Sequence, residues 1–225
     1  MGSVERRERE KQELRTRILD AARELFVEHG YEAVTMRKIA EQIEYSPTAI
    51  YFHFRDKESL IRELCDEDFG TLAQQFQKIA RVADPIERLR RIGRAYIAFA
   101  IAYPNHYRLM FMTPQPDSLR PEDSRITRGN PEEDAYAFLK ATISEAIAQQ
   151  RLRSELGDPD LVSQMVWAGT HGVVSLQIAK RKDDWLDWRD PTLTAHELIE
   201  VMIRGLVRDP QVRAPSRGKY TESER

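Results

Sequence analysis

The stretch between residues 35 and 60 limits the possible folds of this chain more than any other, because it encodes two very short helices in succession. Thr35 can cap the first helix with its hydroxyl, and Ile39 begins an apolar stripe at helical spacing. Ser46 followed by Pro47 predicts the start of the second helix, since serine accepts a hydrogen bond from a free backbone amide and proline fits the first helical position. A helix this short is unstable alone and must be held by its neighbours. The layout predicts a helix-turn-helix, whose second helix can enter the major groove of DNA.

These helices and the residues after them resemble the DNA-binding signature of TetR-type transcriptional regulators. The resemblance is carried by Thr35, Ile39, Ala40, Ser46, Ile50, Tyr51, Phe52, His53, Phe54, Lys57, Glu58 and Leu60. Residues 18–31 look like the first helix of the same domain. The family usually has glycine in the turn where this chain has Glu44. A left-handed residue other than glycine, asparagine or aspartate costs roughly 1 kcal/mol, so we expect the turn to differ locally. A helical hairpin that matches by chance is the alternative interpretation.

The first turn of the second helix is the part that would meet base edges. Four residues occupy that turn: Ser46, Pro47, Thr48 and Ala49. The Thr48 hydroxyl can hydrogen-bond a base or a phosphate, and the Ala49 methyl can pack on a thymine methyl. The family resemblance implies further contacts: Tyr51 and His53 near the DNA backbone, Thr35 and Arg37 from the preceding helix, and Lys57 from the start of the fourth helix. Because the second helix holds no arginine, Arg37 is the candidate for bidentate contact with a base, and Lys57 is expected to pair with a phosphate.

The charge of the chain predicts selective rather than indiscriminate contact with nucleic acid. The formal net charge is −2, so affinity for DNA must come from a few well-placed groups. The first seventeen residues hold six basic side chains and four glutamates. Pairing of these charges along one helix is the alternative to a role in DNA binding.

The composition argues against a secreted, membrane-bound or catalytic protein. Cys65 is the single cysteine among 225 residues, which excludes an internal disulfide and suits a reducing cytoplasm; a small buried side chain is its simplest role. The five histidines lack the spacing of metal ligands, and neither a nucleophile–base pair nor a phosphate-binding glycine loop is present. The longest apolar run, residues 95–103, is shorter than the ~20 residues of a membrane span, and the charged N-terminus lacks a signal sequence. We expect a cytoplasmic protein that is not an enzyme and needs no metal or cofactor.

The order of turn signals indicates an all-α protein of about nine helices. A capping residue followed by proline recurs at Ser46, Asp84, Asn130, Asp158 and Asp190. Each pair precedes apolar residues at helical spacing, and strand-type alternation is absent. We predict a helix-turn-helix domain over residues 1–54 and a helical bundle for ligand binding and dimerisation over 55–208. A disordered tail is expected over 209–225. The fourth helix should run from Asp56 to about Val82.

The segment from Asp158 to Ala179 predicts a helix that is apolar on two faces. One face would meet its own subunit and the other a second copy of the chain. Trp167 followed by His171 and Gly172 resembles a subgroup of TetR-type C-terminal domains marked by a Trp and a later His-Gly pair. That resemblance implies a homodimer closed by a four-helix bundle from the last two long helices.

Aromatic and methionine side chains of the second half are candidates for a ligand cavity. They are Phe76, Tyr96, Phe99, Tyr103, Tyr107, Met110, Phe111, Phe138, Trp167 and His171. His171 with Tyr96 or Tyr103 could provide polar anchors in such a cavity. Solid core packing is the alternative for the aromatic set, and a buried histidine bonded to a backbone carbonyl is the alternative for His171.

These features together favour a DNA-binding transcriptional regulator that acts as a homodimer on a palindromic operator. Two copies related by a twofold axis read half-sites ~34–36 Å apart. The resemblance implies a repressor released by a small-molecule effector in the C-terminal domain. The rival interpretations are a regulator with a solid core that responds to a protein partner or to no ligand, and an enzyme that uses His171, Cys65 or the tyrosines.

Overall fold

The computed structural model describes residues 2–117, 121–180 and 183–208, and within them the protein is all helical, as predicted. The helices are α1 (Ser3–His29), α2 (Met36–Gln42), α3 (Pro47–His53), α4 (Lys57–Gln77), α5 (Pro85–Ala102), α6 (Pro104–Phe111), α7 (Ala135–Ala148), α8 (Pro159–Lys180) and α9 (Pro191–Leu206). A single 3-10 turn spans Pro121–Asp123, and one isolated bridge joins Leu152 to Val207. The tail predicted over 209–225 lies outside the described residues.

Side-chain caps start the helices that surround the helix-turn-helix. The Thr35 hydroxyl accepts a hydrogen bond from the Lys38 amide (3.2 Å), and the Ser46 hydroxyl accepts one from the Ala49 amide (3.3 Å). Asp56 forms a reciprocal capping box at the start of α4. These bonds satisfy amides that the first turn of a helix leaves without partners, so the three starts lie where the sequence predicted them.

Two helix limits differ from the prediction. Helix α4 ends at Gln77, five residues before Val82, and turns follow it. Helix α7 begins four residues after Pro131, because the carboxylate of Asp134 accepts hydrogen bonds from the Tyr136 and Ala137 amides and caps the helix there. A strong capping side chain thus sets the start in place of the earlier Asn-Pro pair.

The helices enclose two hydrophobic cores that share α4. The first core joins α1, α2 and α3 to the N-terminal half of α4, and the second joins the other half of α4 to α5–α9. The short helix α6 contributes to both: Leu109 is fully buried in the first core, and its neighbour Met110 belongs to the second. The core of the first helices therefore extends past residue 54 into α4.

A cluster of ionisable side chains, buried at its centre, fastens α1, α4 and α6 together. The Arg23 guanidinium donates to both carboxylate oxygens of Asp68, at 3.2 and 2.9 Å. Asp68 is 1% exposed and Arg23 is 5% exposed. His106 Nδ1 lies 2.8 Å from the same carboxylate, and Asp20 receives a further bond from Arg23 (2.9 Å). The bidentate pair compensates the loss of hydration that both charges suffer in the interior.

The last two helices leave an apolar face in contact with solvent. Large apolar side chains on that face are Leu161, Met165, Leu176, Leu193 and Val201, each about half exposed. On the inner side of α8, a Cβ added to Gly169 would lie 2.5 Å from the Met202 sulfur, so this glycine permits close packing of α8 on α9 within one chain. An apolar face of this kind is typical of a surface that meets another protein.

Candidate nucleic-acid interface and ligand cavity

Helix α3 presents its first turn to solvent and is anchored in the core by two apolar side chains. Ser46, Pro47 and Thr48 are exposed, and Ala49 is half-buried. Ile50 is fully buried and Phe54 is 5% exposed, so both residues anchor the helix in the first core. This arrangement leaves the hydroxyl-bearing turn on the surface and its two apolar anchors inside, as the sequence predicted.

The turn before α3 retains left-handed backbone geometry although it contains no glycine. Glu44 has φ of 59°, the Tyr45 amide donates to the Ala40 carbonyl, and the Glu44 amide donates to the Glu41 carbonyl. This pair of bonds is the Schellman arrangement that usually ends a helix on glycine. The expectation of a different turn is therefore wrong, because the two hydrogen bonds hold Glu44 in a conformation that costs roughly 1 kcal/mol.

Three ring-bearing residues follow the exposed turn of α3. Tyr51 is 54% exposed and Phe52 is 76% exposed, whereas His53 is half-buried. Burial lowers the pKa of His53, and the nearby charges of Lys11 and Arg15 on α1 lower it further. His53 is therefore neutral at neutral pH and offers a hydrogen bond rather than a positive charge.

The basic side chains of this region differ in how far they are committed to contacts within the chain. Arg37 is held only by an exposed pair with Glu41 (2.9 Å), which is easily exchanged for another partner. Lys57 donates to the Tyr31 carbonyl (2.8 Å) and the Val34 carbonyl (3.0 Å) and lies 3.9 Å from the Tyr31 ring centroid. Lys57 thus fastens the start of α4 to the loop between α1 and α2. One ammonium hydrogen remains for a phosphate.

Two arginines of α1 are also used within the chain. Arg15 pairs with Glu63 and Glu67 of α4, and Arg17 donates to the Ile43 carbonyl. Pairing within α1 joins Arg6 to Glu10 and Arg9 to Glu13. Much of the basic character of the first helix is therefore neutralised internally, as the alternative interpretation of the sequence had it.

A cavity of about 470 Å³ lies among α4, α5, α7, α8 and the loop before α7. It is lined by Phe69, Leu72, Phe76, Ile92, Gly93, Tyr96, Met110, Phe111, Ser124, Ile126, Arg128, Glu133, Asp134, Ala135, Tyr136, Leu139, Val166, Trp167 and Thr170. Nearly all of its wall is apolar. Its size lies within the range of small-molecule sites in proteins.

The structure places half of the predicted ligand residues on the wall of this cavity. They are Phe76, Tyr96, Met110, Phe111 and Trp167. Phe99 and Phe138 are buried in the second core and do not line the cavity. Tyr103 is 46% exposed on the surface, because α5 ends at Ala102 and the residue before Pro104 is turned out of helical phase.

Tyr107 and His171 form a polar chain behind the wall. The Trp167 indole donates to the Tyr96 hydroxyl (3.1 Å), the Tyr96 and Tyr107 hydroxyls lie 2.9 Å apart, and the Tyr107 hydroxyl lies 2.5 Å from His171 Nδ1. The partner of His171 is therefore a phenol and not a backbone carbonyl. Burial raises the pKa of Tyr96 to about 12 and lowers the pKa of His171, so every member of the chain is uncharged at neutral pH.

The relationship of the chain to known proteins follows from two family models. The model described as bacterial regulatory proteins, tetR family, matches residues 18–64, which contain α2, α3 and the exposed turn. The model described as tetracyclin repressor-like, C-terminal domain, matches residues 89–204, which is half of the chain. The chain belongs to the TetR family.

Curated relatives match part of this TetR-family chain. The transcriptional regulator UidR of Escherichia coli K12 is 41% identical over 78 residues, which are 35% of this chain and 37% of that protein. The transcriptional repressor AcnR of Corynebacterium diphtheriae is 45% identical over 60 residues, 27% of this chain and 32% of that protein. The chain thus spans about a third of the length of the curated relatives it matches.

Solved structures match over most of the chain. The TetR-family regulator PfmR of Thermus thermophilus is 26% identical, with a TM-score of 0.66, covering 85% of this chain and 99% of that one. FadR of Bacillus subtilis, solved in complex with stearoyl-CoA, is 19% identical, with a TM-score of 0.67, covering 84% and 98%. At that identity the second likeness shows the TetR-family fold alone.

Sequence reasoning missed two aromatic residues of the exposed surface. Phe52 and Tyr45 (41% exposed) lie on either side of the first turn of α3. Helical spacing contained the signal for Phe52, because inward positions at Ile50 and Phe54 turn Phe52 outward. Tyr45 had no such signal, since its orientation depends on the left-handed turn before it.

The thiol of Cys65 is poorly suited to nucleophilic chemistry. Burial, together with the nearby carboxylates of Asp68 and Asp66, raises its pKa to about 12. The thiolate is the reactive form, so Cys65 is inert near neutral pH.

Across residues 2–117, 121–180 and 183–208, no group of three or more His, Cys, Asp or Glu side chains could hold a metal ion. In the same ranges, no helix combines the length and apolarity needed to cross a bilayer.

Proposed function

We propose that this chain is a sequence-specific DNA-binding repressor whose affinity for its operator is controlled by a small molecule in the cavity. The observation that carries the proposal is the position of α4. Its first residue, Lys57, is tied to the helix-turn-helix domain, while Phe69, Leu72 and Phe76 further along line the cavity. A ligand that shifts α4 would move the reading helix with it.

Contact with DNA rests on α3 and its surroundings. Thr48 would read a base edge or a phosphate, and Arg37 would read a base once released from Glu41. Ser46, Pro47 and Ala49 would lie against the groove floor and walls. Tyr51, His53, Thr35 and Lys57 would lie at the DNA backbone, positioning the protein without reading sequence.

We infer that the functional unit is a homodimer closed by the exposed apolar face of α8 and α9. Leu161, Leu176 and Val201 on that face would become buried between two copies. Two reading helices related by a twofold axis fit a palindrome with half-sites ~34–36 Å apart. Such a dimer would act in the cytoplasm, where its operator is, and would carry out no catalysis.

The Trp and His-Gly subgroup of TetR-type C-terminal domains stays part of this proposal. Its support is that Trp167 and His171 belong to one hydrogen-bonded chain beside the cavity, whereas Gly172 on the same helix has open space around it. Trp167 and His171 would then act at the ligand site, and Gly172 would allow close approach of the partner's helix, which would explain why the three residues occur together.

Control by a ligand has a quantitative requirement. To lower operator affinity tenfold, the effector must bind the DNA-incompetent state about 1.4 kcal/mol more tightly than the competent one. The rival, a regulator with a solid core that answers to a protein partner or to no ligand, is disfavoured by the volume of the cavity. A thermal-shift screen separates the two, because any compound that binds the folded state raises its melting temperature.

The test of the DNA surface begins with duplexes selected from a random pool by the wild-type protein. Thr48→Ala should weaken binding to the selected duplex and leave binding to a scrambled duplex unchanged, since one base contact is lost. Lys78→Ala, an exposed lysine just past the other end of α4, is the matched surface control and should change neither. Full affinity of Thr48→Ala for the selected duplex, or a selected pool without a palindrome, would remove the proposal.

A further inference from the structure

The polar groups on the cavity wall limit what a ligand can bind, and most of them are already used. The Ser124 hydroxyl donates to Asp66 (2.5 Å), and the Thr170 hydroxyl donates to the Val166 carbonyl of its own helix (2.9 Å). The Asp134 carboxylate accepts from the Tyr136 and Ala137 amides at the start of α7 and from the Gly129 amide in the loop before it. These groups hold the protein together and have little left to offer a ligand.

Charge at the edge of the cavity does not favour an anion. Arg128 contributes one positive charge there, and Glu133 and Asp134 contribute two negative charges. Arg128 and Glu133 are exposed, where water and salt weaken any single ion pair. Inside this edge the wall is apolar, so a buried carboxylate would lose its hydration without an ionic partner.

Tyr96 is different, because it lines the cavity, is almost fully buried, and has a hydroxyl whose hydrogen bonds can be set in two directions. In the first setting, Trp167 donates to Tyr96, Tyr96 donates to Tyr107, and Tyr107 donates to His171 Nδ1. The Tyr96 oxygen then keeps one lone pair and can accept a hydrogen bond from a ligand hydroxyl.

In the second setting, a neutral His171 carries its proton on Nδ1 and donates to Tyr107, which donates to Tyr96. The Tyr96 oxygen now accepts from both Trp167 and Tyr107, and its own hydrogen is free for a ligand carbonyl. Neutral imidazole exists as either tautomer, so the two settings differ only in hydrogen positions.

We infer that the cavity binds an uncharged, mainly apolar molecule bearing one hydroxyl or carbonyl oxygen, which hydrogen-bonds to the Tyr96 hydroxyl. The series of hydrogen bonds that links Trp167, Tyr96, Tyr107 and His171 is adjustable, so Tyr96 can act as an acceptor or as a donor. This inference rests on the proposed function only in treating the cavity as the effector site. It names the chemical class of the ligand and the one side chain that reads its polar group.

The experiment uses matched sets of compounds that share one hydrocarbon framework and differ in one substituent. Biphenyl, 4-hydroxybiphenyl, 4-acetylbiphenyl and biphenyl-4-carboxylate form one set, and decane, decan-1-ol, decan-2-one and decanoate form a flexible second set. Dissociation constants are measured on the full chain without DNA, by calorimetry and by quenching of tryptophan fluorescence. In at least one set, the hydroxyl and ketone members should each bind roughly three- to tenfold more tightly than the parent hydrocarbon, as expected for one neutral hydrogen bond. The carboxylate of that set should bind more weakly than either.

Tyr96→Phe and Tyr136→Phe form the decisive comparison, because both residues line the cavity and both changes remove only a hydroxyl. Tyr96→Phe should abolish the advantage of the oxygen and leave the affinity for the hydrocarbon within about twofold. Tyr136→Phe should retain the advantage, and circular dichroism should show both variants folded. Tightest binding by the carboxylates, an oxygen advantage that survives Tyr96→Phe, or no binding by any member of either set would overturn the inference.

Release of the selected duplex by the same compounds is measured separately. A compound that binds through Tyr96 without weakening DNA binding would refute the proposed induction and leave the ligand assignment intact. A compound that releases the duplex yet binds equally to wild type and Tyr96→Phe would support the proposed induction and refute the assignment of Tyr96 to the ligand.

Discussion

Replacement of Asp68 by asparagine should be among the most destabilising conservative changes in this chain. Asp68→Asn preserves shape and removes the charge that compensates Arg23, and both side chains are almost fully buried. Breaking a buried ion pair from one side costs about 3–5 kcal/mol. Arg23 keeps its 2.9 Å bond to Asp20, whose side chain is 61% exposed, so we expect the low end, about 3 kcal/mol.

The assay is urea unfolding followed by circular dichroism at one fixed protein concentration, since self-association would shift the midpoint. Asp160→Asn is the matched control: its pair with Lys140 has a 2.8 Å contact, but both side chains are about half exposed. That change should leave the urea midpoint nearly unchanged, because exposed ion pairs contribute little to stability.

A double-mutant cycle tests the reasoning behind the number. Arg23→Met alone leaves the Asp68 carboxylate with His106 as its remaining ionisable partner and should also be costly. Arg23→Met combined with Asp68→Asn buries no charge, so its cost should fall short of the sum by roughly 1–3 kcal/mol. Additive costs, or a loss below about 1 kcal/mol for Asp68→Asn, would show that the pair does not carry the buried charge as the contacts imply.

Three further changes probe the turn, a cap and the outer face. Glu44→Asn should raise the free energy of unfolding by up to about 1 kcal/mol, since asparagine tolerates φ of 59° better, and an unchanged urea midpoint would argue against strain. A hydrogen bond from the Ser59 amide holds the pKa of Asp56 below its ordinary value of 3.8, so its stabilisation is complete above that value and is lost as pH falls through the lowered pKa. Asp56→Asn should therefore reduce the loss of stability on acidification, and an identical acid-unfolding profile would contradict this. Leu176→Glu should convert a dimer into a monomer in sedimentation and weaken binding to a palindrome, whereas Ile101→Glu, on a comparably exposed apolar residue of α5, should leave the dimer intact.

Local signals predicted the reading helix well. The start of α3 is fixed by Pro47 and by the hydrogen bond between the Ser46 hydroxyl and the amide three residues later. Because these interactions are local, the sequence alone predicts where the helix begins. The turn at Glu44 was misjudged because a preference averaged over residue types cannot show that two particular hydrogen bonds will hold a strained backbone.

Long-range contacts were harder to foresee. Periodicity identified inward-facing aromatics, but it cannot tell a residue packed in a solid core, such as Phe138, from one beside a void, such as Phe111. Lys57 carried a charge that suggested phosphate, while its actual carbonyl partners lie more than twenty residues away. Tyr103 lost its helical phase only because α5 ends before Pro104.

The two neighbours on α6 have a mechanical consequence. Leu109 is locked among the side chains of the first helices, while Met110 touches the space where a ligand would sit, and their Cα atoms are separated by one peptide unit of about 3.8 Å. A displacement of the Met110 backbone would therefore displace the Leu109 backbone as well, without any relay of intervening side chains. At α6 the wall of the cavity and the core that anchors α3 are thus joined by a single peptide bond.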